Sequence, residues 1–160
     1  MGIAELLHEI STAPIEKRAI TNLNVLNEAY DYGSAFSRGM RVDFGRFVVI
    51  FISGTASIDD HGRTLYVGDL RSQVRRTFDN ITALLASEGA TWKDIVRTTC
   101  YLRDIERDYE AFNDERTTFY KEQRLNPVPA STGIQAILCR PDLLVEIEAI
   151  AMFQKPAPEE

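Results

Sequence analysis

Two glutamates lie inside an apolar run near the end of the chain, in the segment Leu144–Ala151 (LVEIEAIA). In an extended strand, successive side chains face opposite sides, so Glu146 and Glu148 share the face opposite Val145 and Ile147. A buried carboxylate is costly unless it is paired or put to use. One of the two could therefore line a pocket and transfer a proton or orient a water. The alternative, which spacing alone favours, is that both pair with arginines of a neighbouring strand or subunit.

Hydroxyl-bearing residues adjoin glycines at two further places. Ser131-Thr132-Gly133 lies in the predicted strand before the glutamates, and Ser53-Gly54-Thr55 ends an earlier one. Hydroxyl and backbone N–H groups there could bind an anionic ligand. An ordinary β-bulge with a glycine is the alternative, and the residues alone favour it. Asn113, placed early in a predicted helix, could donate into a cleft or stay solvated.

Few residues are suited to metal or nucleophilic chemistry. His8 and His61 are the two histidines, and neither has a cysteine or aspartate at ligand spacing. No metal site is therefore expected, and a Ser-His-Asp or Cys-His arrangement would depend on these two residues. The sequence contains no GxGxxG or Walker motif, so no cofactor is expected. Cys100 and Cys139 are predicted to be free thiols, with a disulfide between them as the open alternative.

Length and charge narrow the functional classes. The chain has 160 residues and a formal net charge of −6. This length predicts one domain with its own core, and the negative charge disfavours a nucleic-acid partner. The sequence shows no signal-peptide pattern and no apolar run of about 18 residues, so no membrane partner and a cytoplasmic location are expected.

Hydrophobic periodicity predicts the order β-β-(β)-α-β-α-β-β, with the bracketed strand short. The first predicted strand begins at Met40, and the second runs from Arg46 to Ile52. The short bracketed strand covers Thr64–Val67, and the next covers Ile95–Leu102. The last two predicted strands lie within Asn126–Phe153 and are joined by a polar turn at Cys139–Asp142. The first predicted helix begins after Asp69 as its cap and ends at Gly89, and the second covers Tyr109–Gln123. This order predicts an α+β or α/β sandwich with both helices on one face of a single sheet.

Each predicted helix has one apolar face. The first carries arginines at positions 71, 75 and 76 on its other side, which we interpret as a solvated face. The apolar residues of the two helices are Leu70, Val74, Phe78, Ile81, Leu84 and Leu85 in the first, and Tyr109, Phe112, Phe119 and Tyr120 in the second.

The sheet has apolar residues at every position from Val48 to Ile52. One layer of helices covers only half of such a strand, so we predict an oligomer that covers the other face. Residues 1–35, which include a possible short helix at Ile3–Ile10, are interpreted as an N-terminal extension that wraps the domain or contacts a partner subunit, or else as a partly ordered tail. Residues 155–160 are predicted to form a disordered tail.

Several motifs occur together in an order and spacing typical of one protein family. They are FISGTASID, QVRRTFDNITALLASEGATWKDIVRTTCYLRDI, FN followed by FY, PVPAS and PDLLVEIEAIA. With them the chain resembles the Rid family, whose members are also called YjgF-like or L-PSP-like proteins. The resemblance covers roughly residues 36–153, so a Rid-like domain is placed at 36–154.

The resemblance implies a fold, an assembly and an activity. The fold is a chorismate-mutase-like sandwich of the bacillus type, a mixed sheet with two helices on one face in the order β-β-α-β-α-β-β. Family members are homotrimers with clefts between subunits, where a small-molecule substrate binds. The best-known members are cofactor-free enamine or imine deaminases that hydrolyse 2-aminoacrylate and related intermediates to 2-keto acids and ammonia.

The resemblance also implies a role for individual positions. Glu146 corresponds to the glutamate that orients the attacking water, while Glu148 is interpreted as a structural acid. The other corresponding positions, expected to bind substrate, are Ser131, Thr132, Gly133, Ser53, Asn113, Phe36 and, as a neighbouring cation, Arg38.

The chain departs from the family pattern at one important position. Ser131 stands where the deaminases have an arginine that binds the substrate carboxylate, and Gly133 stands where a cysteine is frequent. Arg38 is one residue that could supply the missing charge. The leading hypothesis is a deaminase-like hydrolase with Glu146 as the catalytic residue. The alternatives are a non-catalytic small-molecule-binding or regulatory protein, and a chorismatase-like enzyme, since the STG segment resembles one in chorismatases.

Overall fold

The computed structural model describes residues 2–5, 14–22, 24–27 and 33–156. Of the predicted helix at Ile3–Ile10, only residues 3–5 are described, and they are helical. His8 and residues 157–160 of the predicted disordered tail lie outside the described residues. Lys155, the first residue of that tail, forms an ion pair with Asp43 and donates its backbone N–H to the Arg46 carbonyl.

A single mixed sheet of six strands organises the described chain. The sheet order is β1-β2-β3-β6-β4-β5, and every neighbouring pair is antiparallel except β4 and β5. The strands are β1 (Ile15–Ile20), β2 (Gly39–Phe44), β3 (Phe47–Ala56), β4 (Ile95–Leu102), β5 (Ala130–Gln135) and β6 (Val145–Gln154). The predicted mixed sheet is confirmed.

Both long helices pack on one face of this sheet, as predicted. Helix α1 covers Leu70–Ser87 and helix α2 covers Ile105–Glu122, with a short 3-10 turn at Trp92–Asp94 between them. The core between sheet and helices consists of alternate residues of the central strands and the apolar helix faces. It includes Val48, Ile50, Ile52, Val145, Ile147, Ala149 and Ala151 from the strands, and Val74, Phe78, Ile81, Leu84, Leu85, Phe112 and Phe119 from the helices.

Local chemistry sets the ends of α1. The Asp69 carboxylate accepts a hydrogen bond from the backbone N–H of Ser72, so this residue caps the helix as predicted. Beyond the last turn, Gly89 has a φ of 73°, a conformation that glycine adopts without a steric penalty.

Helix α2 begins earlier than the sequence pattern predicted. Its first residue is Ile105 instead of Tyr109, because the Asp104 side chain accepts a hydrogen bond from the Arg107 N–H and caps this end. The prediction that Tyr109 is on the buried side is wrong, since 46% of this residue is exposed. Asn113 consequently lies in the middle of the helix.

Strand prediction failed at two places. Residues 15–20, within the predicted N-terminal extension, form β1 and pair with β2 at the edge of the sheet. Thr64–Val67 is not a strand, because a single bridge between Ile58 and Thr64 is the pairing present there. The last two strands exist, but β4 lies between them, and their connection spans residues 136–144 instead of a short turn.

The arginines of α1 lie on its solvent-facing side, but two of them are paired with acids of α2. Arg71 forms ion pairs with Asp114 and Glu115 of α2, and Arg75 does so with Glu115 and Glu122. These contacts join the two helices along their outer sides.

The sheet face opposite the helices is open and apolar. On this face 46% of Phe51 in β3 and 50% of Met152 in β6 are exposed. None of the described helices is long and apolar enough to cross a membrane.

Candidate functional site

Glu146 lies against an irregularity in the neighbouring strand. Strand β3 pairs regularly with β6 up to Ile52, and the register shifts before Thr55, so Ser53 and Gly54 form a bulge. A Cβ placed on Gly54 would lie 2.0 Å from Oε1 of Glu146. The carboxylate therefore occupies the space that any other residue at position 54 would fill.

The environment of Glu146 favours its protonated form. Burial raises the pKa of this carboxyl group above its ordinary value; the thiol of Cys139 opposes part of the rise, and the negative charge of Glu148 adds to it. The Cys139 Sγ lies 3.9 Å from Oε2 of Glu146. A carboxyl group whose pKa is shifted toward neutrality can both donate and accept a proton.

Glu146 opens into a cavity of about 610 Å³ on the side of the sheet opposite the helices. We call this the acidic cavity, because two carboxylates line it. Its lining residues are Ser34, Phe36, Arg38, Ser53, Gly54, Ala56, Ile58, Cys139, Arg140, Leu143, Glu146 and Glu148. Glu148, which was interpreted as a structural acid, thus lies at the cavity as well.

Arg38 and Phe36 enter the acidic cavity from the segment that precedes β2. The Arg38 guanidinium lies 5.4 Å from the centre of the Phe36 ring and donates to the backbone and side-chain oxygens of Asn27. Ser53 holds the same segment, because its hydroxyl donates to the Ser37 carbonyl at 2.7 Å. Arg38 is 5% exposed, so its guanidinium forms part of the cavity wall and does not extend into the open space.

The connection between β5 and β6 forms another wall of this cavity. Arg103 holds the connection by donating from Nε to the Leu143 carbonyl at 2.6 Å and from Nη2 to the Arg140 carbonyl. This places the exposed thiol of Cys139 beside Glu146 and brings Arg140 to the cavity.

A second group of predicted site residues lies on the helix side of the sheet. The Ser131 hydroxyl accepts a hydrogen bond from Nη1 of Arg116 at 3.0 Å, and Nη2 of the same guanidinium donates to Oδ1 of Asn113. Thr98 of β4 donates to the Ser131 hydroxyl at 3.0 Å. We call these four residues, Thr98, Asn113, Arg116 and Ser131, the Arg116 cluster.

The remaining two predicted residues flank this cluster on β5. The Thr132 hydroxyl accepts a hydrogen bond from Nη2 of Arg97 at 3.0 Å, on the opposite face of the strand. Gly133 leaves room for a side chain, because a Cβ placed there would have Cε2 of Tyr109, at 3.5 Å, as its nearest neighbour.

The structure therefore divides the predicted site residues between the two faces of the sheet. Glu146, Ser53, Phe36 and Arg38 share the acidic cavity, and none of the residues from the other group, such as Ser131, lines it. Within the described chain, no group of three His, Cys, Asp or Glu residues is placed to hold a metal ion.

Sequence reasoning missed four residues of the acidic cavity and the Arg116 cluster. Gly54 was considered as part of an anion-binding segment or a bulge, and its contact with Glu146 was missed because it depends on the register between two distant strands. Cys139 and Arg140 were assigned to a turn, and Arg116 was not considered at all. A helical spacing of three residues between Asn113 and Arg116 was the available signal, since such side chains lie on one face.

A family model and individual relatives all point to one protein family. The family model described as "Endoribonuclease L-PSP" matches residues 28–153. A RutC family protein of Pyrococcus abyssi is 32% identical over 116 residues, which is 72% of this chain and 84% of the relative. The 3-aminoacrylate deaminase RutC of Acinetobacter baylyi is 31% identical over 103 residues, which is 64% of this chain and 78% of that protein.

Solved structures share the fold. The YjgF gene product of E. coli superimposes with a TM-score of 0.68 and 26% identity over 84% of this chain and 97% of its own. The Rid-family protein YyfA of Yersinia pestis gives 0.69 and 25%, over 85% of this chain and 98% of its own. The predicted chorismate-mutase-like architecture is thereby confirmed.

Proposed function

Because the chain belongs to the endoribonuclease L-PSP family, also called the Rid or YjgF-like family, we propose that it is a cofactor-free deaminase of enamines or imines. Its substrate is a small carboxylate metabolite, and its products are a keto or aldehyde acid and ammonia. The observation that carries the proposal is Glu146, a carboxyl group with a raised pKa in a cavity, held against Gly54 in a β-bulge. A relative named 3-aminoacrylate deaminase supports the reaction class.

The reaction can proceed with one group that alternates between acid and base. Protonated Glu146 donates its proton to the enamine carbon, which gives an iminium ion. The resulting carboxylate takes a proton from a water as the water oxygen adds to the iminium carbon. Proton transfer to nitrogen and formation of the C=O bond then expel ammonia. One water is consumed, one ammonia leaves, and Glu146 returns to its starting state.

The remaining residues of the acidic cavity orient the substrate in this proposal. The Ser53 hydroxyl and the Phe36 ring line the same cavity as Glu146 and provide a polar and an apolar contact. Arg140 and Arg38 contribute positive charge at its wall. The Glu148 carboxylate adds negative charge, which favours the cationic iminium over the neutral enamine.

The proposal includes a homotrimer in which a cleft between subunits completes the site. Two observations support it: the open face of β3 and β6 exposes Phe51 and Met152, and the predicted site residues occupy opposite faces of one sheet. A second copy that covers the open face could bring its own Ser131 and Asn113 toward the acidic cavity. Light scattering coupled to gel filtration checks this, and a monomer at micromolar concentration would contradict it.

Ammonia release from enzymatically generated 3-aminoacrylate and 2-aminoacrylate tests the function. Wild-type protein should accelerate release over buffer, and Glu146→Gln should reduce the rate by about 10²–10⁴-fold, the usual contribution of a general acid–base. Glu16→Gln in β1, an exposed glutamate remote from the cavity, is the matched control and should keep the wild-type rate. Equal rates for wild type, Glu146→Gln and buffer would refute the proposal.

A second candidate function is that of a non-catalytic binder of carboxylate metabolites. Ser131 favours it, because the family resemblance implies an arginine at this position in the deaminases. A thermal-shift series with keto acids separates the two functions, because a ligand that binds the native state raises its Tm whether or not it is turned over. Binding without ammonia release supports this candidate.

RNA cleavage, which the description of the family model names, is not the proposed function. The chain has a net charge of −6. A negative net charge repels the phosphate backbone, whose contacts dominate the affinity of nucleic-acid-binding proteins.

A further inference from the structure

Arg116 projects from helix α2 to Ser131, the position at which the family resemblance implies a cation. One Nη group donates to the Ser131 hydroxyl at 3.0 Å, and the other donates to the side-chain oxygen of Asn113. The guanidinium carbon lies 5.1 Å from the centre of the buried Phe112 ring. The guanidinium is therefore fixed by neutral partners and by an aromatic face.

No described carboxylate lies within ion-pair distance of Arg116. By contrast, Arg71 and Arg75 on the neighbouring helix are each bound to two acids, and Arg107 on the same helix is bound to Asp108. An oriented guanidinium surrounded by neutral hydroxyl and amide groups keeps its charge available for an anion. Its planar, two-pronged geometry matches a carboxylate.

The floor of the Arg116 cluster contains further polar groups. Thr98 and Cys100 lie beneath Ser131, with the Cys100 Sγ 3.9 Å from the Ser131 hydroxyl. The Tyr120 hydroxyl is buried beside Thr98 and adds another polar group to the floor of the cluster.

We propose that Arg116 binds the carboxylate of the substrate. The inference rests on the proposed function, whose substrate is a carboxylate, and it assigns the recognition of that group to a residue of helix α2. Asn113 and Ser131 then act as positioning residues, because they hold the guanidinium without contributing charge. The cluster of one subunit supplies the anion contact and the acidic cavity of a neighbouring subunit supplies the proton transfers, since the two lie on opposite faces of the sheet within one chain.

A calorimetric titration with 2-oxobutanoate, a stable keto acid, tests the assignment in the full-length protein. Arg116→Gln should weaken binding by about tenfold to a hundredfold, the range expected for losing a charge-assisted contact. Lys121→Gln removes one positive charge from the same helix and should leave affinity within about twofold. Methyl 2-oxobutanoate, which lacks the anionic group, should not distinguish wild type from Arg116→Gln.

A rescue variant keeps the test valid if Arg116→Gln affects folding. Ser131→Arg in the Arg116→Gln background returns a guanidinium to the cluster from the adjacent strand, and binding of 2-oxobutanoate should recover. Arg116→Lys retains the charge but not the two-pronged contact, so we expect intermediate affinity. Circular dichroism verifies that each variant is folded before its titration.

Ammonia release measured on the same samples separates this inference from the proposed function. If wild type binds 2-oxobutanoate through Arg116 but releases no ammonia from any aminoacrylate, the deaminase function fails and the inference stands. If wild type is active and Arg116→Gln keeps its affinity and KM, the inference alone is overturned. Wild-type protein that binds no keto acid also overturns it.

Discussion

At the residue scale, the proposed function depends on how Glu146 is held. The sequence reveals a carboxylate between apolar neighbours, and the alternation of β6 correctly places it away from the core. Its burial, its contact with Gly54 and the nearby thiol of Cys139 follow from the register of β6 against β3 and from the path of the 136–144 connection. These features are tertiary, so no local pattern could predict them.

We expect a substitution of Gly54 to reduce activity only by displacing the Glu146 carboxylate. In Gly54→Ala, the added methyl group would lie 2.0 Å from Oε1, so the carboxylate must move by more than an ångström. A displacement of this size typically costs about 100-fold in rate. Steady-state ammonia release checks the loss.

A double-mutant cycle provides the control for this prediction. If Gly54 matters only because it leaves room for the carboxylate, Gly54→Ala combined with Glu146→Gln should be no slower than Glu146→Gln alone. Multiplicative losses in the double variant would contradict the explanation.

The raised pKa of Glu146 also predicts a pH-dependent stability. A carboxyl group whose pKa exceeds its ordinary 4.5 binds its proton more tightly in the folded than in the unfolded state. Its contribution to stability is therefore greatest below this value and declines as the pH rises through the folded pKa. Glu146→Gln lacks the decline, so its Tm relative to wild type should increase between about pH 4 and about pH 8.

Thermal unfolding of both proteins at constant ionic strength measures this difference. If Glu146→Gln has a lower Tm than wild type at about pH 8, and the Tm difference is the same at about pH 4, the charged carboxylate does not destabilise the folded protein. The same result would remove the basis for using Glu146 as an acid.

At the element scale, the apolar faces of the helices and the alternation of the central strands were predictable, since they depend on periods of 3.6 and 2 residues. The edge strand β1 was not, because three of the six residues of IEKRAI are charged and five of its six positions are exposed. It is held by backbone pairing with β2, by the buried Ile20 side chain and by the ion pair between Arg18 and Glu88, all of which depend on residues distant in the chain. The early start of α2 depends on the Asp104 cap, which a search for apolar spacing overlooks.

The ion pairs between α1 and α2 are expected to stabilise the helix layer. Burial alone would raise the pKa of Glu115, but hydrogen bonds from Arg75 and Arg71 outweigh it, and the pKa is lowered. Glu115→Gln should reduce the free energy of unfolding by about 1 kcal/mol at low ionic strength. Urea unfolding at neutral pH measures it, with Glu110→Gln on the exposed side of the same helix as the control.

Two conditions should diminish this effect. A lowered pKa means that the stabilisation is present above the unfolded pKa and is lost as the pH falls through the folded pKa, so the two proteins should converge in acid. Salt at about 1 M should also reduce the difference, because it screens charges near the surface. A difference that is independent of both conditions would point to packing instead of charge.

At the scale of the whole molecule, the sequence predicted a sheet with one uncovered face, and the described chain has such a face. It did not predict that the site residues would lie on two faces of one sheet. A pattern of residues along the chain assigns each strand two sides, but it cannot tell which sides of different copies meet. The family resemblance supplied the expectation of a trimer, which stays a prediction.

Mixing two impaired variants, at a substrate concentration below the KM of Arg116→Gln, tests whether one site draws on two chains. Glu146→Gln retains an intact Arg116 cluster, and Arg116→Gln retains an intact acidic cavity. After the two are unfolded together and refolded at equal amounts, about a quarter of the sites in randomly assembled oligomers should combine the two intact halves. Ammonia release should then recover to about a quarter of the wild-type rate.

Each variant refolded alone is the control and should keep its own reduced rate. If a site is built within one chain, no mixture can restore it, and activity in the mixed sample would remain at the level of the separate variants. That outcome would contradict the proposed division of the site between subunits.

The reactivity of the Cys139 thiol, which lies beside Glu146, should report whether the acidic cavity is occupied. Cys139 is exposed at the acidic cavity, whereas Cys100 is buried. A chromogenic thiol reagent should therefore label one cysteine quickly and the other slowly, as access dictates. Any compound that fills the cavity should slow the fast phase in proportion to the fraction of sites filled. Libraries of metabolites can be screened in this way before a substrate is known and without an assay of turnover.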